Sequence, residues 1–347
     1  MQRIKSLDLA RGFTVLCIPA VHTVLLYSQP TVYQTIFGRL LRFVAEGPGA
    51  QLFMVYMGIS MTLSTELTWS TVAKKSLLLL AAGYGLNLLK FVIPLKLGML
   101  PTAFQSDLGV LGACDAATRL FLLGDILTYA AMALPITFLI YQLPRFSGFA
   151  FATGILVALL SPYGWDHHSC SSIGQYVFNV LGGEPPAVFF PLLPWLVYPL
   201  VGLSIGYLLQ RQMPQTFDFF ALLGLFLVLV GIVMSRFEPV STSFYRSQPA
   251  GTAYHLGIVL LTLWIWHYLD RYVRRNYFFR VLQYCSKDIT AIYLIQWPLI
   301  FWCLPIFGYQ QLGYGAAILT AMLLTGLTLF LSLLLNTLRL KSIVIED

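Results

Sequence analysis

From Phe219 to Met234 the chain carries no charged or hydrogen-bonding side chain. Such a stretch needs surroundings as apolar as itself, and similar stretches recur along the 347 residues. In hydrocarbon every backbone N–H and C=O must be satisfied within the fold, which leaves α-helices or a closed barrel. Runs of about 20 apolar residues suit helices, whereas barrel strands are about half as long and alternate. Apolar residues make up 58% of the chain and charged residues 10%, against about 25% charged in a soluble domain. The chain therefore reads as an all-α polytopic membrane protein with one domain over 1–347. It shows no internal repeat, low-complexity segment or soluble domain.

About ten transmembrane spans are expected, roughly at 8–28, 49–66, 72–94, 119–143, 147–162, 187–209, 217–236, 252–270, 287–307 and 312–337. Arg3 and Lys5 before an apolar run resemble the start of a signal peptide. No small-x-small cleavage site follows, so the run reads as a retained first span. Arg39 and Arg42 among the apolar residues of 33–43 predict an amphipathic helix in the interface. Trp69, Trp165, Trp195, Trp297 and Trp302 fall at span ends and read as interfacial belts.

Lys and Arg set the orientation. With the N-terminus in the cytoplasm, that side holds Arg3, Lys5, Arg11, Lys74, Lys75, Arg145, Arg211, the Arg271–Arg280 cluster, Lys287, Arg339 and Lys341. These are 14 of the 21 basic residues. Both termini then lie inside, and loops 95–118 and 163–186 face outward. The net charge of +7 sits in short loops rather than in one basic surface, so no nucleic-acid partner is expected. Cys114 and Cys170 lie in the two outer loops, either as a disulfide or as two free thiols. No CxxC pair exists, and the spacing in WDHHSC (165–170) fits no standard metal site, so no metal is expected.

Ionisable groups inside spans are costly and mark functional candidates. The first span, LDLARGFTVLCIPAVHTVLLYS, carries Arg11 and His22. Eleven helical steps of about 100° return His22 to within about 20° of the Arg11 face, about 16 Å further along. Asp8 lies one turn before Arg11, at i,i+3. Pro19 predicts a kink below His22. Asp125 is the most deeply placed carboxylate, in the outer third of the fourth span. It either orients the His22 imidazole or pairs with Arg119 or caps a helix. A histidine in a span also serves as a packing residue, and Arg11 as a snorkelling anchor.

The R-x10-H spacing of the first span resembles the acyltransferase-3 family of membrane acyltransferases. Four further segments resemble bacterial relatives of heparan-α-glucosaminide N-acetyltransferase: AEGPGAQLFMVYMGISMTLS (45–64), FFPLLPWLVYPLVGLSIGYLL (189–209), FYRSQPAGTAYHLG (244–257) and AIYLIQWPLI (291–300). The resemblance implies transfer of an acyl group, commonly acetyl, from cytoplasmic acyl-CoA to a sugar or glycoconjugate at the far face of a bacterial cytoplasmic (inner) membrane. It implies Arg11 as the motif arginine and His22 as the motif histidine, the catalytic base or nucleophile; Asp125 is the further catalytic candidate from its depth in the span. Two departures stand out. SQPTVYQT (28–35) lacks the loop histidine of the lysosomal enzyme, and Gln296 stands where related sequences often have histidine.

On that reading Arg11, Lys74, Lys75, Arg271, Arg274 and Arg275 are candidates for the CoA phosphates. Glu46, Arg246, His255 and Gln296 are candidates for the acceptor, and Asn87, Tyr129, Ser60 or Gln296 for an oxyanion donor. The competing reading is a transporter or flippase whose pathway is lined by Arg11, His22 and Asp125. The charge bias gives a direct expectation for topology. Reporter fusions after residues 105 and 175 should read as external, and a cytoplasmic signal at either site would reverse the orientation.

Overall fold

The computed structural model describes residues 4–213, 215–238 and 243–345. Arg3 lies outside them, as do the side chains of Arg339 and Lys341. Among the described residues thirteen helices run nine residues or longer. They are α1 (Lys5–Tyr27), α2 (Ile36–Val44), α3 (Ala50–Leu63), α4 (Trp69–Asn87), α5 (Ile126–Tyr141), α6 (Phe146–Leu160), α7 (Ser172–Gly182), α8 (Val197–Gln210), α9 (Thr216–Met234), α10 (Pro249–Tyr272), α11 (Tyr277–Lys287), α12 (Ile289–Trp302) and α13 (Tyr314–Ile345). No strand occurs among these residues, only two isolated bridges, Ser28 with Leu312 and Gly124 with Val188. The all-α polytopic membrane fold expected from composition is the fold observed.

Seven of the described helical segments are long and apolar enough to cross a membrane. Three expected spans are shorter than predicted. The span at 119–143 breaks at Gly124, whose backbone pairs with Ala187 and Phe189, and α5 begins only after Asp125. The span at 49–66 is α3, of 14 residues, preceded by a π-helical turn at Ala45–Gly49. The span at 287–307 is α12, also of 14 residues, broken at Cys303. A 14-residue helix rises about 21 Å, less than the roughly 30 Å hydrocarbon thickness. The amphipathic segment of 33–43 is a 3-10 turn (Pro30–Gln34) followed by α2, whose Ile36 and Leu40 are exposed.

The chain divides into two compact units. The first comprises Glu46–Gly85 and Leu122–Leu269. Its centre is the contact of α3 with α8. Gly58 and Thr62 on α3 face Gly202 and Gly206 on α8, a small-xxx-small pattern on both helices. Lipid chains compete equally for apolar side chains, so close backbone packing drives association in a membrane. Around this contact Met61, Val72, Phe138, Ala150 and Leu203 form a core. By contrast α9 is only 17% buried within the protein and exposes Leu222, Phe226 and Leu229, which makes it a lipid-facing helix.

The second unit comprises Ile4–Ala45, Leu86–Phe121 and the chain from Asp270 on. Here α1 packs along α11, α12 and α13. The chain after α1 is tied to the start of α13 by Gln29 N–H to Leu312 C=O at 2.9 Å and Leu312 N–H to Tyr27 C=O at 2.7 Å. Val24, Val32, Ala317 and Ala321 fill the space between.

A Cβ on Gly202 would collide with the Val55 carbonyl, whereas one on Gly326 would meet nothing within 4 Å. Gly202→Ala should therefore destabilise by about 1–3 kcal/mol. Gly326→Ala, a change to a better helix former, should stabilise by up to about 1 kcal/mol. Thermal unfolding of the two purified variants checks the pair, and equal shifts would contradict the close α3–α8 contact.

Candidate active site

The functional candidates of α1 are positioned by its contact with α11 and α12, within the second unit. Gly12 meets the Leu282 backbone so closely that any Cβ would overlap the Leu282 carbonyl. At this crossing the Arg11 guanidinium donates from Nε to Ser286 Oγ at 2.9 Å and from Nη2 to Ser286 C=O at 2.7 Å. Ser286 Oγ in turn donates to Asp8 Oδ1 at 3.2 Å, and Asp8 lies 3.5 Å from Arg11 Nη2. Asp8 and Ser286 are both buried. The i,i+3 pair read from the sequence is thus present, and it is completed by a serine that the sequence did not indicate. The guanidinium is spent largely on holding α11.

Three turns further along, the His22 ring stacks on Trp297 of α12, with centroids 3.9 Å apart and planes at 25°. Beyond it, the Tyr27 hydroxyl donates to the Ile300 carbonyl. Contacts 11–286, 22–297 and 27–300 advance together, so α1 runs parallel to the α11–α12 segment. Arg11 and His22 do share a face, as the spacing predicts, and that face looks onto α11 and α12. Trp297 was expected in an interfacial belt. It is half-buried and stacks on His22, and Trp195 of the first unit, also expected in a belt, is only 1% exposed. Trp69 and Trp302 remain half exposed, in keeping with a belt role.

Lys90 is the residue that sequence reasoning missed. It is 2% exposed, on a π-helical turn (Leu88–Val92). Its Nζ lies 4.6 Å from the Trp297 ring centroid and 4.7 Å from that of Phe91. Cation–π contacts of a desolvated ammonium contribute about 2 kcal/mol each. The imidazole and the ammonium therefore attend the same indole. Gln296, the neighbour of Trp297, is fully buried, and neither its Oε1 nor its Nε2 has a hydrogen-bond partner. The Trp297 Nε1–H is likewise buried without one. A buried polar group left unmet costs about 1–3 kcal/mol, so two such groups on consecutive residues call for a functional explanation.

The other carboxylate and acceptor candidates belong to the first unit. Asp125 is the N-cap of α5. Its Oδ1 accepts from the Ile126 N–H at 2.7 Å, and Thr128 Oγ1 accepts from the Asp125 N–H at 2.8 Å. Of the alternatives open in the sequence, helix capping is thus realised. Pairing with Arg119 is not, because Arg119 bonds Asp115 at 2.9 Å. Asp125 and Glu46 both bear on Tyr245, in the turn Phe244–Arg246. Burial raises the Tyr245 hydroxyl above its ordinary range, and the two carboxylates push it the same way. Tyr245 packs on Phe189, Phe190 and Phe244, and its carbonyl accepts the Trp195 indole N–H at 2.8 Å.

Arg246 is bound into the protein. It donates from Nε to the Gly182 and Gly183 carbonyls and from Nη1 to Asp166 at 2.8 Å, with Glu184 at 3.4 Å. It fastens the 163–186 loop. His255 lies 3.5 Å from Ser247 Oγ. Lys74 and Lys75 are exposed, and Lys75 borders an open cavity of about 470 Å³ with Ser60, Ser64 and Leu134. In the second unit Arg271, Arg274 and Arg275 are exposed as a group. Cys114 and Cys170 are free thiols, and no cluster of metal-ligating side chains occurs among the described residues.

The family model "Heparan-alpha-glucosaminide N-acetyltransferase, catalytic" matches residues 3–238, about two thirds of the chain. The chain belongs to that family. It is an integral membrane acetyltransferase, and the transporter reading of the same charges gives way to an enzyme. No curated protein matches the sequence. The part matched to the heparan-α-glucosaminide N-acetyltransferase family contains Arg11, His22, Lys90 and Asp125. It ends before α10, α11 and α12, so Ser286, Gln296 and Trp297 lie beyond it.

The Arg246 contacts yield a test. Arg246→Ala removes a charged donor from two carbonyls and two carboxylates, each such bond contributing about 1.5–3 kcal/mol at most. The 163–186 loop should then be cleaved several-fold faster in limited proteolysis, with cleavage elsewhere unchanged. An unaltered digestion pattern would show that the loop holds without Arg246.

Proposed function

We propose that this acetyltransferase takes an acetyl group from acetyl-CoA on the cytoplasmic side and delivers it to a hydroxyl or amine of a sugar or glycoconjugate on the other side. His22 acts as general base. The observation that carries the reading is the parallel run of α1 beside α11 and α12. It supports Arg11 at one end of a buried face and His22 at the other, about 16 Å apart by helix rise. That length suits a pantetheine arm, which is thin enough to lie where the nucleotide cannot go. Family membership supports acetyl transfer, and the exposed helices support an acceptor or product presented at a lipid bilayer.

In this proposal the donor's phosphates meet the exposed Arg271, Arg274 and Arg275 of the second unit. Arg11 serves them by fixing α11, the helix that follows the arginine cluster. Asp125, Glu46, His255 and Arg246 are the acceptor-side residues, gathered around Tyr245 and Ser247 in the first unit. The whole chain acts as one acyltransferase domain, in a cytoplasmic membrane with both termini inside.

Removing a positioned general base costs about 10²–10⁴-fold in rate. His22→Ala should lower CoA release from acetyl-CoA by that much, across a panel of amino and neutral sugars, while acetyl-CoA still binds in calorimetry. Near-normal turnover by His22→Ala would remove His22 from the reaction.

A further inference from the structure

We propose that Trp297 and Gln296 are the donors that hold the acyl carbonyl oxygen during transfer, with Lys90 as the positive charge that steadies it. The assignment rests on the proposed acetyl transfer at His22 and extends it to residues beyond the segment that the family match covers. Three observations converge on α12. The Trp297 ring lies against the imidazole at 3.9 Å. Its Nε1–H, and the whole Gln296 carboxamide beside it, are buried with no hydrogen-bond partner. The Lys90 ammonium reaches the same ring at 4.6 Å. Two unsatisfied N–H donor groups and a cation beside a histidine form a setting for an oxygen that gains negative charge.

The chemistry balances. His22 takes the proton from the acceptor's hydroxyl or amine as that oxygen or nitrogen bonds to the acetyl carbon. The carbonyl electrons move onto oxygen, where Trp297 Nε1–H and Gln296 Nε2–H donate to it. Collapse re-forms C=O and breaks the C–S bond. The CoA thiolate leaves and receives the proton from the His22 imidazolium. Donors already oriented in apolar surroundings need no reorganisation when the charge appears, and for that reason they are left unpaired beforehand. Pro298, which has no N–H, also leaves the Leu294 carbonyl of α12 without its helical donor.

A donor kept unpaired for catalysis and one that serves the fold respond oppositely to substitution. Trp297→Phe keeps the stacked ring and removes the N–H. Gln296→Leu replaces an unmet amide by an apolar side chain of similar size. In the full-length protein, without ligand, both variants should unfold at or above the wild-type temperature. Their kcat for CoA release should fall at least tenfold, with KM for acetyl-CoA changed by less than about twofold, because the contact strengthens only in the transition state. An unchanged kcat, a change confined to KM, or a lowered unfolding temperature would each overturn the assignment; the last would mean that the groups bind an internal water and serve the fold. Absence of CoA release by the wild type would instead defeat the acetyl-transfer reading itself, and this assignment with it.

Discussion

The candidate site depends on a missing side chain. At Gly12 the backbone of α1 lies against that of α11 with no room for a Cβ. In water two helices would be driven together by burying apolar surface. In a bilayer the lipid offers equivalent contacts, so close approach and interhelical hydrogen bonds decide. Gly12 permits the approach, and Arg11, Ser286 and Asp8 supply the bonds within one residue of the crossing or one turn away. With that crossing set and both segments helical, the register of everything above it follows. Eleven residues on, in both segments, His22 meets Trp297.

Charge placement follows from the same apolar surroundings. The cost of removing an ionised group from water is several kcal/mol even after relaxation, so such a group stays only where it is compensated. Arg11 is compensated by a carboxylate and a serine. Lys90 lies over two ring faces, Phe91 and Trp297. Lys90 sits on the π-helical turn at Leu88–Val92, with Phe91 buried beside it. Gln296 and Trp297 are among the buried polar groups with no hydrogen-bond partner, and their cost is borne in the resting protein.

The fold class, the approximate spans and the shared face of Arg11 and His22 were legible in the sequence. They depend only on helix period and on the hydrocarbon thickness. Asp125 was legible as a buried carboxylate, but its capping role was not. That role requires the break at Gly124, and the break comes from pairing with residues 187–189, more than 60 positions away. Arg246 was legible as a loop charge, but its hold on the 163–186 loop was not, for the same reason, since the glycine carbonyls and carboxylates it bonds are remote in sequence. Trp297 looked like a belt residue because span ends usually meet the interface, and only packing put it against His22.

Composition and periodicity alone determined that this chain crosses a membrane as helices and that one helix carries an arginine and a histidine on one stripe. Both are local properties, set by side-chain hydropathy and by 3.6 residues per turn. Tertiary structure alone decided what that stripe faces. Which helices pack together, and at what register, is set by backbone approach at a few small residues such as Gly12. The partners brought in by that approach, Ser286, Lys90, Gln296 and Trp297, leave no mark on the local pattern around His22.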